Sequence, residues 1–267
     1  MSRQNILITG AASGLGKALA IELVNDDANL ILLDISAIGL AQTQAQIQSL
    51  GGQCTIHQQD ISDTDALTSW VNTLQKSLAI DWLINCAGVT LTSSTFDIST
   101  EQWENLLSVN LLGSIVLSTA IGQQMTLRRR GKIINISSMF GFLPAPSGIA
   151  YATTKHALIG FTRTLSVEMH NTGVDVHLVC PGFIQTQLFE HAEYNQVVKQ
   201  NILPNTQNMM TATEAAKRIV QQVQRNKQWI IFPFYVRMLL WLEWYTPRLA
   251  RHIWVKQWMD FLQKRSM

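Results

Sequence analysis

Charged side chains are scarce in this sequence of 267 residues, where they make up 14% against 47% for hydrophobic residues. A disordered chain needs the opposite balance, so we expect a folded domain with a substantial core. The net charge of +2 is too small to indicate a protein that binds nucleic acid. We therefore expect no nucleic acid among its partners.

Cysteine is rare as well: Cys54, Cys86 and Cys180 are an odd number without a Cys-x-x-Cys pair. This argues against a disulfide framework and a structural zinc site, and it fits a reducing compartment. No group of His, Asp and Glu has the spacing of metal ligands, so no metal is expected. Runs of about 18 apolar residues, which a transmembrane helix needs, do not occur. Residues 1–9 carry one charge and lead straight into an apolar strand, unlike a signal peptide, so we expect a cytoplasmic protein.

Short apolar runs alternate with segments of helical periodicity. Strands with little internal alternation, separated by helices, are typical of a parallel sheet covered on both faces. Right-handed crossovers then predict an α/β fold with a doubly wound, Rossmann-type sheet of about seven strands. The expected strands are Asn5–Thr9, Asn29–Leu33, Gln53–His57, Asp81–Asn85, Lys132–Ser137, Val174–Cys180 and Gln228–Phe232. The expected helices are Leu15–Asn25, Ile38–Leu50, Asp63–Ala79, Thr100–Leu127, Tyr151–His170 and Thr211–Arg225. We expect residues 1–232 to form one domain, followed by an amphipathic helical extension over 233–267.

A glycine-rich loop closes the first expected strand and opens the first helix. Its sequence is Thr9-Gly10-Ala11-Ala12-Ser13-Gly14-Leu15-Gly16. Glycines let the backbone turn tightly and approach a pyrophosphate, while the helix N-terminus offers free N–H groups. A purely structural turn is the alternative, but the position of the loop at the first βα connection favours nucleotide binding.

Asp34 ends the second strand, 18 residues after Gly16. A carboxylate there can accept both ribose hydroxyls of an adenosine, and it repels a 2′-phosphate. Since no basic residue stands at Ser13, Ile35 or Ser36 to bind that phosphate, NAD is predicted rather than NADP. The alternative role for Asp34 is an N-cap of the next helix, although Ser36 can supply that cap.

Two further strand ends suit a nucleotide. Asp60-Ile61 follows the third strand, where an aspartate can bind the adenine amino group. Asn85-Cys86-Ala87-Gly88 follows the fourth, where a small Ala-Gly turn lets the backbone pass close to a ribose. Each could equally be an ordinary turn.

Tyr151 and Lys155 are four residues apart at the start of an expected helix, so they share a face. A phenol is a poor acid–base catalyst at neutral pH because its pKa is about 10, but a nearby ammonium favours the phenolate. Such a pair can exchange a proton with an alcohol or a ketone. The same spacing also occurs in exposed helix pairs, so the neighbouring residues decide.

Ser138 lies at the end of the fifth strand, thirteen residues before Tyr151. Its hydroxyl could hold a substrate oxygen in line with the phenol, or it could belong to a serine-rich turn. Asn110 lies within an otherwise apolar helix, although asparagine is a poor helix former. A packed, hydrogen-bonded core residue is the simplest explanation for Asn110.

Together these residues resemble the short-chain dehydrogenase/reductase family, over a span from Asn5 to about Phe232. The shared features are the T-G-x-x-x-G-x-G loop, the N-x-A-G turn, the helical Asn, the Ser and the Tyr-x-x-x-Lys pair, in that family's order. Cys86 departs from the family pattern, which often has alanine at this position. Both Cys86 and Cys180 are interpreted as small buried hydrophobic residues.

The resemblance implies that Tyr151 is the general acid/base and that Ser138 orients the substrate oxygen. Lys155 binds the nicotinamide ribose and lowers the tyrosine pKa, and Asn110 supports a water that relays protons to Lys155. The implied cofactor-binding residues are Gly10, Ser13, Gly14, Leu15, Gly16, Asp34, Asp60, Ile61, Asn85, Ala87, Gly88, Tyr151, Lys155, Pro181, Gly182, Ile184 and Thr186. Long helices of the family form a dimer face, often doubled into a tetramer, so a homodimer or homotetramer is expected through Thr100–Leu127 and Tyr151–His170.

The expected substrate is a small apolar alcohol or ketone. Gln185–Met210 lies where the family places a mobile substrate-binding segment, and it is rich in apolar residues. With Phe140, Phe142, Leu143 and Phe183 it predicts an apolar pocket, although this names no substrate because apolar residues line most pockets.

Residues 227–267 differ in composition from the rest of the chain. Seven basic and two acidic side chains give them a net charge of +5, which leaves −3 for residues 1–226, and they hold five of the eight tryptophans. Phe234–Tyr245 is very apolar, and Pro247 suits the first turn of another helix. One stripe of that helix holds Arg248, His252, Lys256, Asp260 and Lys264, and another holds Ala250, Trp254, Trp258, Phe261 and Leu262. This pattern suits a helix at the inner face of a membrane; packing on the domain, covering the pocket or a subunit contact are the alternatives.

The predicted function is that of an NAD(H)-dependent oxidoreductase that interconverts a secondary alcohol and a ketone. One alternative is a nucleotide sensor or scaffold that kept the fold and lost the chemistry, and the intact set of Ser138, Tyr151 and Lys155 argues against it. Another alternative is a peripheral membrane protein that acts through its tail.

Overall fold

The computed structural model describes residues 3–26, 28–186 and 209–265. Its strands are β1 Asn5–Thr9, β2 Asn29–Asp34, β3 Gln53–Gln58, β4 Trp82–Asn85, β5 Gly131–Ile136, β6 Val174–Pro181, β7 Ile184–Gln185, β8 Met210–Thr211 and β9 Trp229–Phe232. Its helices are α1 Gly14–Glu22, α2 Ala37–Ser49, α3 Thr64–Ser77, α4 Thr100–Leu107, α5 Gly113–Arg128, α6 Ile149–Glu168, α7 Ala212–Gln224, α8 Phe234–Tyr245 and α9 Pro247–Arg265.

The described strands form one seven-stranded sheet in the order β3-β2-β1-β4-β5-β6-β9, with β7 and β8 paired separately. Every pair in the large sheet is parallel, and helices cover both faces. The predicted Rossmann-type fold is therefore confirmed. The strand order reverses between β1 and β4, which is where open sheets of this kind bind ligands.

The sheet separates two apolar cores. Ile6 and Ile8 of β1 belong to one core and Leu7 to the other, because successive strand residues point to opposite faces. All three side chains are fully buried. Burial on both faces explains why the strand sequences show so little polar alternation.

The helix predicted over Thr100–Leu127 is interrupted. Two α-helices flank a π-helical turn at Ser108–Leu112, with Asn110 at its centre. A capping box between Ser99 and Gln102 starts the first of them. The poor helix former in the middle of an apolar helix therefore marks a local change of helix type, a difference that periodicity alone does not show.

By length and composition alone, the stretch Thr100–Arg128 could cross a membrane. In the fold it packs on the sheet, and Leu117, Ile121 and Met125 are fully buried in one of the two cores. Its apolar composition is thus accounted for by core packing.

The last two helices pack on the domain beyond β9. Val236 and Leu240 of α8 are buried against Met139 and Leu143. Trp254 of α9 joins this cluster, and its ring N–H donates to Glu243 over 2.8 Å. Ala250 and Trp254, the first two residues of the apolar stripe of α9, therefore pack on the domain, which was one of the alternatives to a membrane contact. The side chains of Trp258, Phe261 and Leu262, the rest of that stripe, lie outside the described residues.

Candidate active site

A cavity of about 480 Å³ opens at the carboxyl ends of the central strands. Most of the predicted site residues line it, although they come from seven separate stretches of sequence. They are Gly10, Ser13, Gly14, Leu15, Gly16, Asp34, Asp60, Ile61, Ala87, Gly88, Ser138, Tyr151, Lys155, Pro181, Gly182, Ile184 and Thr186. Asn85 and Asn110 are the two predicted residues that are not in this lining.

The glycine-rich loop is held tightly against the turn after β4. Gly10 has φ +69°, and a Cβ there would lie 2.8 Å from the Cα of Ala87. The hydroxyl of Thr9 accepts the backbone N–H groups of Cys86 and Ala87, each over 3.0 Å. Thr9 thus joins the two loops that line the cofactor end of the cavity. The sequence pattern assigns Thr9 to the loop but gives it no role, although a hydroxyl at a strand end indicates such a contact.

The first turn of α1 provides an anion site. The hydroxyl of Ser13, its N-cap residue, makes no capping hydrogen bond. The first N–H groups of the helix can therefore bind another acceptor. Ser13, Gly14, Leu15 and Gly16 all line the cavity. Because these N–H groups lie at the positive end of the helix dipole, a pyrophosphate fits here.

Asp34 presents an oriented carboxylate to the cavity. It accepts the N–H of Ala12 over 3.0 Å and that of Ser36 over 2.9 Å. The N-cap of α2 is Ser36, whose hydroxyl accepts the N–H of Gly39. Asp34 is therefore not the helix cap, and since a carboxylate has about four acceptor sites, it can still accept ribose hydroxyls.

Asp60 lines the same end of the cavity but is also part of a local turn. One carboxylate oxygen accepts both the N–H and the hydroxyl of Ser62, over 2.8 and 2.7 Å. The position of Asp60 therefore fits an ordinary turn as well as a contact with an adenine.

Asn85 lies inside the core rather than in the cavity lining. Its amide donates to Asn135 over 2.8 Å and to Ser118 over 2.9 Å. Asn135 in turn donates to Thr162 of α6. Asn85 thus ties β4 to β5 and to α5, and its predicted role as a cofactor contact finds no direct geometric support.

Asn110 connects the loop after β4 to α6. Its side-chain oxygen accepts the N–H of Val89 over 2.8 Å, and its amide donates to the carbonyl of Val89 and to the hydroxyl of Thr154. The side chain is fully buried. This is the packed, hydrogen-bonded asparagine expected as the simpler alternative, and it acts as a positioning residue for the loop that carries Gly88.

Ser138, Tyr151 and Lys155 meet at the other end of the cavity. The Lys155 ammonium lies 5.7 Å from the centroid of the Tyr151 ring and donates to the carbonyl of Ile136 over 3.0 Å. The backbone of Lys155 is fixed by the hydroxyl of Ser137, which donates to its carbonyl. A hydroxyl, a phenol and an ammonium thus share one small, largely buried region.

Burial controls the ionisation of this region. Desolvation lowers the pKa of Lys155 to about 8, although the neighbouring Cys86 and Cys180 oppose this effect. Burial of the Cys86 thiol raises its pKa to about 12, and burial raises the pKa of Cys180 as well. At neutral pH the lysine is charged and both thiols are protonated, which agrees with their interpretation as small hydrophobic residues.

The mouth of the cavity beside Tyr151 is apolar. Phe140 and Phe183 line it and contact each other edge-to-face at 5.7 Å. Phe142 and Leu143, also expected here, lie behind this wall in contact with α8 and with Trp229. Most of the expected substrate-binding segment Gln185–Met210, namely residues 187–208, lies outside the described residues.

Three comparisons describe what the chain is similar to. A model of the short chain dehydrogenase family matches residues 4–197. The 3-oxoacyl-[acyl-carrier-protein] reductase FabG of Buchnera aphidicola subsp. Schizaphis graminum is 30% identical over 221 residues, which is 82% of this chain and 89% of the relative.

Two solved structures complete the comparison. A 3-oxoacyl-[acyl-carrier protein] reductase from Brucella melitensis with bound NAD has a TM-score of 0.73 at 28% identity, and the match covers 85% of this chain and 88% of that one. A metagenomic short-chain oxidoreductase in complex with NADP has a TM-score of 0.65 at 32% identity, with coverage of 68% and 84%.

Proposed function

The chain belongs to the short-chain dehydrogenase family, and we propose that it is an NAD(H)-dependent enzyme that interconverts an apolar secondary alcohol and its ketone. Family membership makes it an oxidoreductase with a nicotinamide cofactor. The substrate, the choice between NAD and NADP and the roles of individual residues belong to the proposal.

The observation that carries the proposal is the position of Tyr151 and Lys155 relative to the glycine-rich loop. One cavity reaches from Gly10 and Gly14 to Tyr151, so it can hold a dinucleotide with its phosphates on α1 and its other end beside the phenol. A nucleotide sensor needs the end of the cavity at the glycine-rich loop. Only an enzyme needs a phenol, a hydroxyl and a buried ammonium at the other end.

A nicotinamide held in this cavity would supply the hydride acceptor or donor, and the residues of this chain transfer the proton. In alcohol oxidation the phenolate of Tyr151 accepts the hydroxyl proton, and in ketone reduction the phenol returns a proton to the substrate oxygen. The hydroxyl of Ser138 donates to the same oxygen and fixes its orientation. The Lys155 ammonium stabilises the phenolate because the two groups are close and shielded from water.

Asp34 supports NAD rather than NADP as the preferred cofactor. Its carboxylate is held in place by two backbone N–H groups, so it cannot easily turn away from a 2′-phosphate. The charge repulsion then acts at short range at the edge of the cavity. Since similar structures carry either NAD or NADP, this preference rests on Asp34 and on the lack of a basic residue at Ser13, Ile35 and Ser36.

The proposal also includes a cytoplasmic homodimer or homotetramer. The helices of the expected dimer face keep apolar side chains at the surface, with Leu112 exposed by 42% and Val167 by 74%. Leu106 and Leu117, in the same stretch as Leu112, are buried in the cores. Light scattering at micromolar concentration tests the assembly, and a monomer alone would contradict it.

Replacing Tyr151 by phenylalanine tests the proposed reaction. Tyr151→Phe removes one oxygen and keeps the ring, so the fold and the NAD affinity should be preserved. Turnover of a substrate found by screening alcohols and ketones with both cofactors should fall by about 10²–10⁴-fold, as for loss of a positioned general acid/base. The matched control is Tyr245→Phe, which should leave turnover unchanged because Tyr245 is exposed on α8 and is not in the cavity lining. Unchanged turnover in Tyr151→Phe would leave the sensor interpretation standing.

A further inference from the structure

Helix α8 turns an apolar, aromatic stripe towards solvent. Its inner side buries Val236 and Leu240. On the outer side Phe234, Met238, Trp241 and Tyr245 are exposed by 70, 57, 59 and 69%. These four residues are spaced four, three and four apart, so they follow one face of the helix. Contiguous exposed apolar patches on soluble proteins mark interaction sites.

The two C-terminal helices also expose positive charge. The exposed cations are Arg237 on α8 and Arg248, Arg251 and Lys256 on α9. Within residues 234–256 the acidic residue is Glu243, which is half-buried and accepts the ring N–H of Trp254. The two helices therefore present cations and aromatic rings to solvent together, although the rest of the chain has a net negative charge.

This combination identifies the chemistry of the partner. Tryptophan and tyrosine rings prefer the boundary between water and lipid, and lysine and arginine are attracted to anionic headgroups. A helix of 12 residues is about 18 Å long and cannot span a bilayer of about 30 Å. It is suited to lie in the plane of the surface with its apolar side inserted.

We propose that the C-terminal arm, formed by α8 and α9, binds an anionic lipid surface through the stripe of Phe234, Met238, Trp241 and Tyr245. The arginines and lysine of the arm contact the headgroups. This inference goes beyond the proposed reaction and does not depend on it, because it concerns a surface outside the cavity.

The arm is rigidly connected to the cavity. Val236 and Leu240 belong to the same apolar cluster as Phe140 and Phe183, which line the cavity mouth. The hydroxyl of Tyr235 accepts the N–H of Phe183 over 3.2 Å. Binding through the outer side of α8 therefore holds the apolar end of the cavity close to the lipid.

Flotation of the full chain with vesicles tests the proposal. The chain should float with vesicles of phosphatidylcholine mixed with phosphatidylglycerol, less with phosphatidylcholine alone, and less at high salt. The double variant Met238→Glu/Trp241→Glu should stay at the bottom of the gradient. The matched control is Leu50→Glu/Leu127→Glu, which changes two residues exposed by 56 and 73% to glutamate as well. Leu50 caps the end of α2 and Leu127 lies in the last turn of α5, both before the start of a strand, and this variant should float like the unmodified chain.

A second variant keeps the test independent of any folding defect caused by the glutamates. Arg248→Gln/Arg251→Gln/Lys256→Gln should lower the affinity for phosphatidylglycerol vesicles by about tenfold or more, since each cation near an anionic surface contributes about a factor of five. NAD titration should give unchanged affinities for all three variants.

Failure of the unmodified chain to float, or equal flotation of both double variants, would overturn the proposal. A smaller particle for Met238→Glu/Trp241→Glu in sedimentation, without vesicle binding by the unmodified chain, would show a contact with a second copy instead.

Discussion

The cavity and the C-terminal arm depart from the usual distribution of side chains in opposite directions. Around the cavity, polar groups are buried: Asn85, Asn110 and Lys155 are at most 4% exposed. On the outer side of α8, Trp241 and Tyr245 are more than half exposed. Both arrangements cost free energy unless each group finds a partner.

The partners differ between the two regions. Each of the three buried polar side chains bonds to protein groups, so the domain satisfies them by itself, apart from one oxygen of Asn85. The outer stripe of α8 has contacts within itself, such as the ring pair of Trp241 and Tyr245 at 5.3 Å, but it remains open to water. Folding therefore accounts for the buried polar groups at the cavity but not for the exposed apolar stripe of α8.

The largest expected effect in the domain comes from the charge of Lys155. Burial lowers its pKa in the folded protein to about 8, below the value of an unfolded lysine. Between pH 8 and pH 10.5 the unfolded chain therefore binds more protons, and the free energy of unfolding rises with pH. Below pH 8 the charge is buried in full and this stabilisation is absent.

Denaturant unfolding of the cofactor-free protein measures this effect. The free energy of unfolding of the unmodified protein, minus that of Lys155→Met, should increase by up to about 3 kcal/mol from pH 8 to pH 10.5. The expected slope is about 1.4 kcal/mol for each pH unit. Lys76→Met, at an exposed position on α3, controls for the loss of a lysine. A difference that stays flat or decreases would show that Lys155 is not desolvated.

Asn85 provides the next test, because its amide belongs to the self-satisfied region. Asn85→Ala removes the donor to the buried oxygens of Asn135 and Ser118 and leaves Asn135 only the 3.5 Å bond from the Ser118 hydroxyl, which costs about 1–3 kcal/mol of stability. Asn135→Ala should cost a similar amount, and the double variant less than the sum of the two because they share a bond. The NAD affinity should stay within about twofold. A large loss of NAD affinity at unchanged stability would place Asn85 in the cofactor site after all.

The sequence predicted the sheet, its order of elements and most of the cavity lining, because the carboxyl ends of parallel strands meet at one edge of the sheet and bring their loops together. It could not distinguish Asp34 from Asn85. Both are polar and end a strand, but Asp34 lines the cavity and Asn85 turns into the core towards Asn135. The direction of a side chain at a strand end depends on the neighbouring strand, which no local pattern contains.

The arm shows the same limit at the level of a helix. Periodicity predicts an apolar stripe on α9, and its two described residues, Ala250 and Trp254, pack on the domain. In α8 nearly every position is apolar, so the pattern could not show which side faces the domain. Only the packed structure separates Leu240 from Trp241.

Asp34 tests whether the domain discriminates between cofactors by charge. Asp34→Asn keeps the size of the side chain and removes its charge, so the ratio of NADP to NAD dissociation constants should fall by about tenfold, or about 1.4 kcal/mol. Asp60→Asn makes the same change at another carboxylate of the cavity and should change both affinities equally. Titration calorimetry measures both constants. Tighter binding of NADP than NAD by the unmodified protein would refute the predicted preference.

The smallest effect is expected on the outer side of α8, where it sharpens the comparison most. If the stripe takes no part in folding, Met238→Gln should change the free energy of unfolding by less than about 0.5 kcal/mol, as for other surface substitutions. Two residues further along the same helix, Leu240→Ala should cost about 2–5 kcal/mol because Leu240 is buried in the cluster behind the cavity. Both values come from urea unfolding of the full chain. If Met238→Gln lowers the free energy of unfolding by more than 1 kcal/mol, and this difference disappears when the protein is diluted, the stripe is packed in a subunit contact. If the difference is negligible, the exposed apolar area of the stripe contributes nothing to the stability of the isolated protein.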